Sequence, residues 1–241
     1  MKRSEINATI LLARDFFEAY RFKLPKWAAW SVVNWDYSGE EMQAIKDCQL
    51  GWDVTDFGLG DFLSQGMTSF MLRNGQPSRK SDQEVSEKIP AETLNGLGRH
   101  YSEKILLVQL HQALPLLALK HRTHDLINRG GGDLVIQVYQ STPEHNLDEK
   151  SRIPLQVNGI AYNVKAGGIV RLVPGDGLTL QAGIYYKYWA EKASCIVGSI
   201  SSTCDERNDY RFFDLNCQRF PEIEPDESPI HLLHYEYPDF I

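Results

Sequence analysis

The feature that most limits the fold of this 241-residue chain is a set of short apolar segments, all but the first of which follow Tyr101. Each segment is rich in β-branched and aromatic residues and is bounded by turn-forming residues, which is the pattern of short β-strands. The segments are 68–73, 104–110, 116–119, 134–139, 153–157, 160–164, 169–173, 178–181, 184–189 and 195–200. Many short strands at this spacing predict a mainly β fold, and an eight-stranded double-sheet jelly roll fits the count.

Glycine-containing turns separate several of these predicted strands. Asn158-Gly159 predicts a two-residue hairpin, since a type I′ turn needs positive φ at both central positions. Pro174-Gly-Asp-Gly177 predicts another tight turn. The run Gly130-Gly-Gly132 belongs to no GxxxxGK[ST] or GxGxxG pattern, so tight-turn geometry is expected there rather than a phosphate-binding loop.

Two helices are predicted before the first strand. Ser4 is the expected N-cap of an amphipathic helix whose apolar residues recur from Ile6 to Tyr20. The sequence Ser38-Gly-Glu-Glu41 is a capping box and predicts a second helix. Between them lie three tryptophans, for which packing in the core or at an interface is the expected role. They are Trp27, Trp30 and Trp35.

Composition narrows the class of function. The net charge is -7 and no basic cluster alternates with aromatic residues, which excludes a nucleic-acid footprint and favours a small sugar or other polar molecule as ligand. No apolar segment approaches the roughly 18 residues of a membrane span, and the N-terminal segment lacks the apolar core of a signal peptide. A cytoplasmic protein without membrane contact is therefore expected. Without CxxC spacing, the cysteines are expected to be free thiols. They are Cys48, Cys195, Cys204 and Cys217.

Several segments, taken together and in order, resemble the D-lyxose ketol-isomerase family of metal-dependent cupins. They run from about position 50 to the end of the chain. The matching segments are Leu50-Gly-Trp-Asp-Val-Thr-Asp-Phe-Gly58, Leu72-Arg-Asn-Gly75, Glu103-Lys104, Asp125-Leu-Ile-Asn-Arg-Gly-Gly-Gly132, Gly183-Ile-Tyr, Trp189-Ala-Glu191, Asp209-Tyr-Arg-Phe212 and Arg219-Phe-Pro-Glu-Ile-Glu224.

The resemblance implies a cupin jelly-roll barrel with the N-terminal helices packed outside it. We expect a single domain over 1–241, made of a helical extension at 1–65, a barrel core at 100–202 and a C-terminal segment at 203–241. It also implies a homodimer and a divalent metal such as manganese, bound by three histidines and a glutamate. In the family's aldose–ketose isomerisation, the cation stabilises an enediolate while a base moves a proton between C1 and C2.

The metal-binding positions depart from the family pattern. Laid over the cupin motif, the four ligand positions are Leu117, Leu119, His124 and Tyr186. An alkyl side chain has no lone pair, and one imidazole with one phenol is a poor donor set for manganese. We therefore expect no metal, and manganese only if the site has been rebuilt. A second hypothesis is an improvised metal site formed by His121, His124 and Asp125, with His111 as a further candidate ligand.

Other family positions suggest a pocket. Lys104, His124, Tyr186 and Ser199 are the expected substrate-pocket residues, and Ser199 replaces a family glutamate. Cys204 similarly replaces a family asparagine. Lys104 is also a candidate catalytic residue, since burying a lysine is costly unless it is paired or used. The remaining catalytic candidates, in an acidic segment that approaches the pocket in the family, are Glu222 and Glu224.

Three hypotheses follow. The first is a family member that has lost metal-dependent isomerase activity and keeps a small-sugar pocket. The second is an active D-lyxose/D-xylulose isomerase with a rebuilt site that uses Lys104, His124, Tyr186 and an acidic residue. The third is a dimeric interaction protein in which the tryptophans lie near the interface.

Overall fold

A computed structural model describes residues 1–37, 39–75 and 99–237. Its helices are α1 (Arg3–Ala19), α2 (Val32–Asp36) and α3 (Gln43–Asp47), with 3₁₀ turns at Lys26–Ala29 and Glu40–Met42.

Helix α1 begins earlier than predicted. Lys2 is its N-cap, and the Glu5 carboxylate accepts the Lys2 backbone N–H at 2.9 Å. Ser4 lies inside the first turn, where its hydroxyl donates to Asp226 at 2.6 Å, so the prediction of Ser4 as N-cap is wrong. The predicted capping residue Ser38 lies outside the described residues.

The fold is mainly β, as predicted. One antiparallel sheet runs in the order β1-β2-β3-β11-β5-β10-β7-β8, while β4 and β9 pair with the other ends of β11 and β5, and β12 pairs with β4. The strands are β1 (Gly51–Thr55), β2 (Met67–Arg73), β3 (Tyr101–Val108), β4 (Leu117–Leu119), β5 (His124–Ser141), β6 (Leu147–Asp148), β7 (Arg152–Val157), β8 (Ile160–Lys165), β9 (Ile169–Leu172), β10 (Gly177–Leu180), β11 (Tyr185–Ser202) and β12 (Tyr210–Phe212).

Two long strands connect the two halves of the barrel. The first half of β5 pairs with β10 and its second half with β9, and β11 runs alongside β5 through both halves. Both strands change register where Gly130 to Gly132 face the Glu191–Cys195 irregularity. The prediction of a turn at the glycine run is therefore wrong, because these glycines bend a continuous strand. The segments predicted as two strands, 184–189 and 195–200, are likewise one strand.

The Asn158-Gly159 hairpin forms as predicted between β7 and β8. Asn158 has φ 53° and Gly159 has φ 78°, the positive values that a type I′ turn requires. The turn at Pro174 is also present, closed by the Asp176 N–H donating to the Val173 carbonyl at 3.0 Å.

The side chains of β3 point alternately into two buried layers, which explains why its sequence is almost continuously apolar. Leu106 and Val108 face the barrel interior, whereas Ile105 and Leu107 face the layer that contains α1. Because both faces are buried, the strand lacks a polar face. Helix α1 packs with its buried Ile6, Ile10 and Phe17 on the outer side of β1, β2 and β3, which matches the predicted position of the helices.

The three tryptophans pack within the chain. Trp35 is 2% exposed, and its ring lies against Trp27, Trp30 and Tyr237. All four cysteines are free thiols, as predicted.

Candidate ligand site inside the barrel

Neighbouring strands bring together the four positions that correspond to family metal ligands. Leu117 and Leu119 lie on β4, and Leu117 pairs directly with Tyr186 of β11. His124 begins β5, so the predicted polar loop around it is wrong, because the side chain is 4% exposed and faces inward. The His124 and Tyr186 rings lie 5.0 Å apart between centroids.

Three of these side chains, Leu119, His124 and Tyr186, line a small cavity in the barrel, and Leu117 is not part of its lining. Its volume is about 30 Å³, enough for roughly two water molecules, so a bound pentose would have to extend beyond it. The four residues expected to form a substrate pocket all line it. The lining is Met67, Ser102, Lys104, Leu106, Leu114, Leu119, Arg122, His124, Leu126, Tyr186, Tyr188, Ser199, Ser201 and Tyr210.

His124 is buried without a hydrogen-bond partner among the described residues. Both ring nitrogens, Nδ1 and Nε2, are shielded from solvent and unpaired. Burial, together with the nearby cations Arg122 and Lys104, lowers the pKa of His124 to about 3. The ring is therefore neutral at physiological pH, with one unused N–H donor and one unused acceptor.

Lys104 belongs to a buried ion network on one side of the cavity. Its Nζ donates to Glu206, which also accepts from Arg219 at 2.7 and 3.0 Å. Arg219 in turn pairs with Asp53, whose carboxylate lies 4.0 Å from His234. Burial alone would raise the pKa of Glu206, but Lys104 and Arg219 outweigh it and hold that pKa well below its usual range.

Arg122 is a second cation at the cavity. Its Nε lies 2.6 Å from Asp209, although the contact is poorly aligned for a hydrogen bond. Its other described polar contact is a long one, 3.4 Å from Nη1 to the Ser201 hydroxyl. Most of the five N–H donors of this guanidinium are therefore not engaged by the described residues. The two carboxylates behind these cations, Glu206 and Asp209, do not line the cavity.

Three phenols complete the polar lining. Burial raises the pKa of Tyr186 and of Tyr210 well above the usual 10, and that of Tyr188 rises for the same reason. All three rings therefore carry neutral hydroxyl groups.

The residues at the family's metal position do not fit a divalent cation. Leu117 and Leu119 offer only hydrocarbon, and burial disfavours the phenolate form that Tyr186 would need for strong coordination. The charged groups that line the space, Lys104 and Arg122, are both cationic, and its lining contains no carboxylate. Within ranges 1–37, 39–75 and 99–237, no group of three or more His, Cys, Asp or Glu side chains is placed to hold a metal ion.

The improvised histidine site is not assembled in this structure. His111 and His121 are exposed, whereas His124 points into the barrel. The Asp125 carboxylate, on the opposite face of β5, accepts from Thr179.

The acidic candidates lie apart from the cavity. Glu222 and Glu224 are both exposed, and the backbone of Glu224 pairs with Met1 and Arg3. The carboxylate next to Lys104 is Glu206, which we did not anticipate. The other unanticipated residues near the cavity are Asp53, Arg122, Tyr188, Asp209, Tyr210, Arg219 and His234. Asp53, Asp209, Tyr210 and Arg219 lie within the matching segments, which was the available signal.

Comparison with known proteins identifies the family of this chain. A model of the D-lyxose isomerase family matches residues 1–237. The chain belongs to the D-lyxose isomerase family. The D-lyxose/D-mannose isomerase of Serratia proteamaculans is 33% identical over 244 residues, covering all of both chains. That of Escherichia coli O157:H7 is 32% identical over 243 residues, also at full coverage.

Two solved structures of L-ribose isomerases share the fold. Cellulomonas parahominis L-ribose isomerase with L-ribose aligns with a TM-score of 0.56 at 13% identity, covering 92% of this chain and 98% of that one. Geodermatophilus obscurus L-ribose isomerase aligns with a TM-score of 0.54 at 13% identity, covering 93% and 98%. The chain thus has the same fold as these two L-ribose isomerases.

Proposed function

We propose that this chain is a D-lyxose isomerase-family cupin that does not carry out metal-dependent aldose–ketose isomerisation and keeps a pocket for a small sugar or related polar molecule. The observation that carries the proposal is hydrocarbon at Leu117 and Leu119, two positions where the resemblance expects imidazole. Without a cation, the enediolate loses stabilisation of several kcal/mol.

The acid–base groups at the cavity also support the proposal. A general base works best with a pKa near the working pH, whereas that of His124 is about 3. Glu206 is held ionised by its two cations, which makes it a weak base as well. The neutral Tyr186, whose pKa is raised well above 10, is a poor proton donor. Proton transfer between C1 and C2 would therefore be slow.

An active isomerase with a rebuilt centre is the alternative, because Lys104, His124 and Tyr186 do line one cavity. The acidic partner would then be Glu206 rather than Glu222 or Glu224. Its distinguishing result is D-lyxose to D-xylulose turnover by the unaltered chain after chelation of divalent metals.

The fourfold variant Leu117→His, Leu119→His, His124→Glu and Tyr186→His tests the proposal. We expect this variant to bind about one manganese ion per chain and to interconvert D-lyxose and D-xylulose, because it restores the expected donor set. The unaltered chain should do neither. Elemental analysis and a coupled sugar assay provide the measurements.

A matched control introduces two histidines on the protein surface instead of in the barrel. Leu63 and Leu215 are 77% and 94% exposed, so Leu63→His with Leu215→His tests uptake by surface histidines. The control should bind no stoichiometric manganese. Metal and turnover in the unaltered chain would overturn the proposal.

The proposal retains the homodimer that the resemblance implies and the cytoplasmic location expected from the sequence. No helix in the described ranges is long and apolar enough to cross a membrane. Because Trp35 is buried within the chain, a role of the tryptophans in partner binding has less support than the small-molecule pocket.

A further inference from the structure

The lining of the barrel cavity contains cationic and hydrogen-bond-donating side chains but no carboxylate. Its charged residues are Lys104 and Arg122, both cationic, and the carboxylates that pair with them stand behind the lining. Three tyrosine hydroxyls and the hydroxyls of Ser199 and Ser201 can add further donors. A pocket that binds a metal ion offers electron-pair donors to a cation. The charged side chains of this lining are cations themselves and can instead donate hydrogen bonds to an anion.

His124 is the second observation that points to a ligand. A buried imidazole with two unpaired nitrogens carries a desolvation cost that a bound group would remove. The guanidinium of Arg122, with most of its donors unengaged, lines the same small space. A carboxylate can accept two parallel bonds from such a fork and leave further lone pairs for the histidine N–H.

We propose that the cavity binds the carboxylate group of a small sugar acid, held by Arg122 and His124. This inference rests on the proposed function, since it names the ligand of a pocket that holds no metal. A volume of about 30 Å³ suits the two oxygens of a carboxylate, which replace roughly two waters. The rest of the molecule lies on the side of Ser199 and Tyr210, the two lining residues that are only half-buried.

The test compares ligands with the same carbon skeleton. D-lyxonate carries a carboxylate at C1 where D-lyxose has its aldehyde carbon, so the pair isolates the charge. Calorimetry in a buffer free of carboxylate and phosphate should show D-lyxonate binding at least about ten-fold tighter than D-lyxose, the difference of one charge-assisted hydrogen bond. Equal affinities, tighter binding of D-lyxose, or binding of neither would overturn the proposal.

Variants locate the binding site. Arg122→Gln should weaken D-lyxonate binding about ten-fold or more, and Arg122→Lys should recover part of it because the charge remains. His124→Gln should weaken D-lyxonate several-fold, whereas exposed His121→Gln, the matched control, should not. Circular dichroism must show that each variant is folded. Unchanged affinity in folded Arg122→Gln and His124→Gln proteins would place the ligand elsewhere and refute the inference.

A chelated sample separates this inference from the proposed function. If D-lyxonate binding survives treatment with EDTA, the carboxylate is held by protein groups, as proposed. If chelation abolishes binding, the carboxylate sits on a metal ion, and both proposals are wrong. Absence of both D-lyxonate binding and metal overturns the anion site alone.

Discussion

At the scale of single residues, the two leucines of β4 supply packing but no donor atoms to the site. Leu117 and Leu119 are both buried in the barrel core, so β4 keeps its packing while it contributes no lone pair. The polar residues nearby, including Lys104 and Glu206, pair with each other instead. Leucine at these two positions is therefore compatible with an intact barrel.

Glu206 is the residue whose removal should cost the fold most. Its carboxylate is 1% exposed and pairs with two cations. Glu206→Gln therefore removes the anionic partner of Lys104 and one of the two anionic partners of Arg219. We expect the free energy of unfolding to fall by about 3–5 kcal/mol, the usual cost of breaking a buried ion pair. Urea denaturation of both proteins measures this difference.

Glu222→Gln is the matched control, since it changes the same chemical group at an exposed position. Its effect should stay within about 0.5 kcal/mol. If the two substitutions cost the same, the network around Glu206 does not stabilise the fold.

Sequence reasoning could anticipate which positions gather at the cavity but not their pairing. The resemblance predicts that Lys104, His124, Tyr186 and Ser199 lie close together, and all four line one space. It does not reveal the partner of Lys104, because Glu206 is distant in sequence and is brought close only by the tertiary fold.

At the scale of elements, the bend shared by β5 and β11 joins the two halves of the barrel. Gly131 has φ 91°, and a Cβ there would lie 2.1 Å from the Ser194 carbonyl oxygen. Gly131→Ala should therefore lower the unfolding free energy by more than about 3 kcal/mol, from left-handed strain plus a clash with rigid backbone. Thermal and urea unfolding measure the loss.

Gly183→Ala separates the two causes. Gly183 has φ 81° but nothing within 4 Å of an added Cβ, so only the strain of about 1–2 kcal/mol applies. Equal losses of unfolding free energy at Gly131 and Gly183 would show that the close backbone approach at the bend does not add to the cost.

Periodicity located most strands, because their apolar runs and turn residues are local signals. It predicted two strands where β11 is one. It also predicted a turn at Gly130–132, because glycine occurs both in tight turns and in bent strands. Only the cross-strand pairing with β11 distinguishes these cases, and that pairing is not encoded locally.

At the scale of the whole molecule, buried histidines make stability depend on pH. Burial lowers the pKa of His234 from 6.5 to about 4, against the opposing effect of Asp53 and Glu206. The unfolded chain thus binds more protons than the folded one between these values, so stability is full above pH 6.5 and declines below it. From about pH 7 to about pH 5, His234 alone should remove about 2 kcal/mol.

Urea unfolding across this pH range, with His234→Gln beside His121→Gln, tests the assignment. The first variant should reduce the decline by about 2 kcal/mol, with the contribution of buried His124 remaining, and the second, at an exposed site, should leave it unchanged. An undiminished slope in His234→Gln would show that other groups cause the pH dependence.

The most direct test of the central claim is the manganese content of the unaltered protein, purified with manganese present and analysed together with its activity on D-lyxose. With hydrocarbon at Leu117 and Leu119 and two cations beside the cavity, we predict far less than one ion per chain and no D-xylulose above a buffer blank. One tightly held manganese ion per chain, with turnover, would contradict the account.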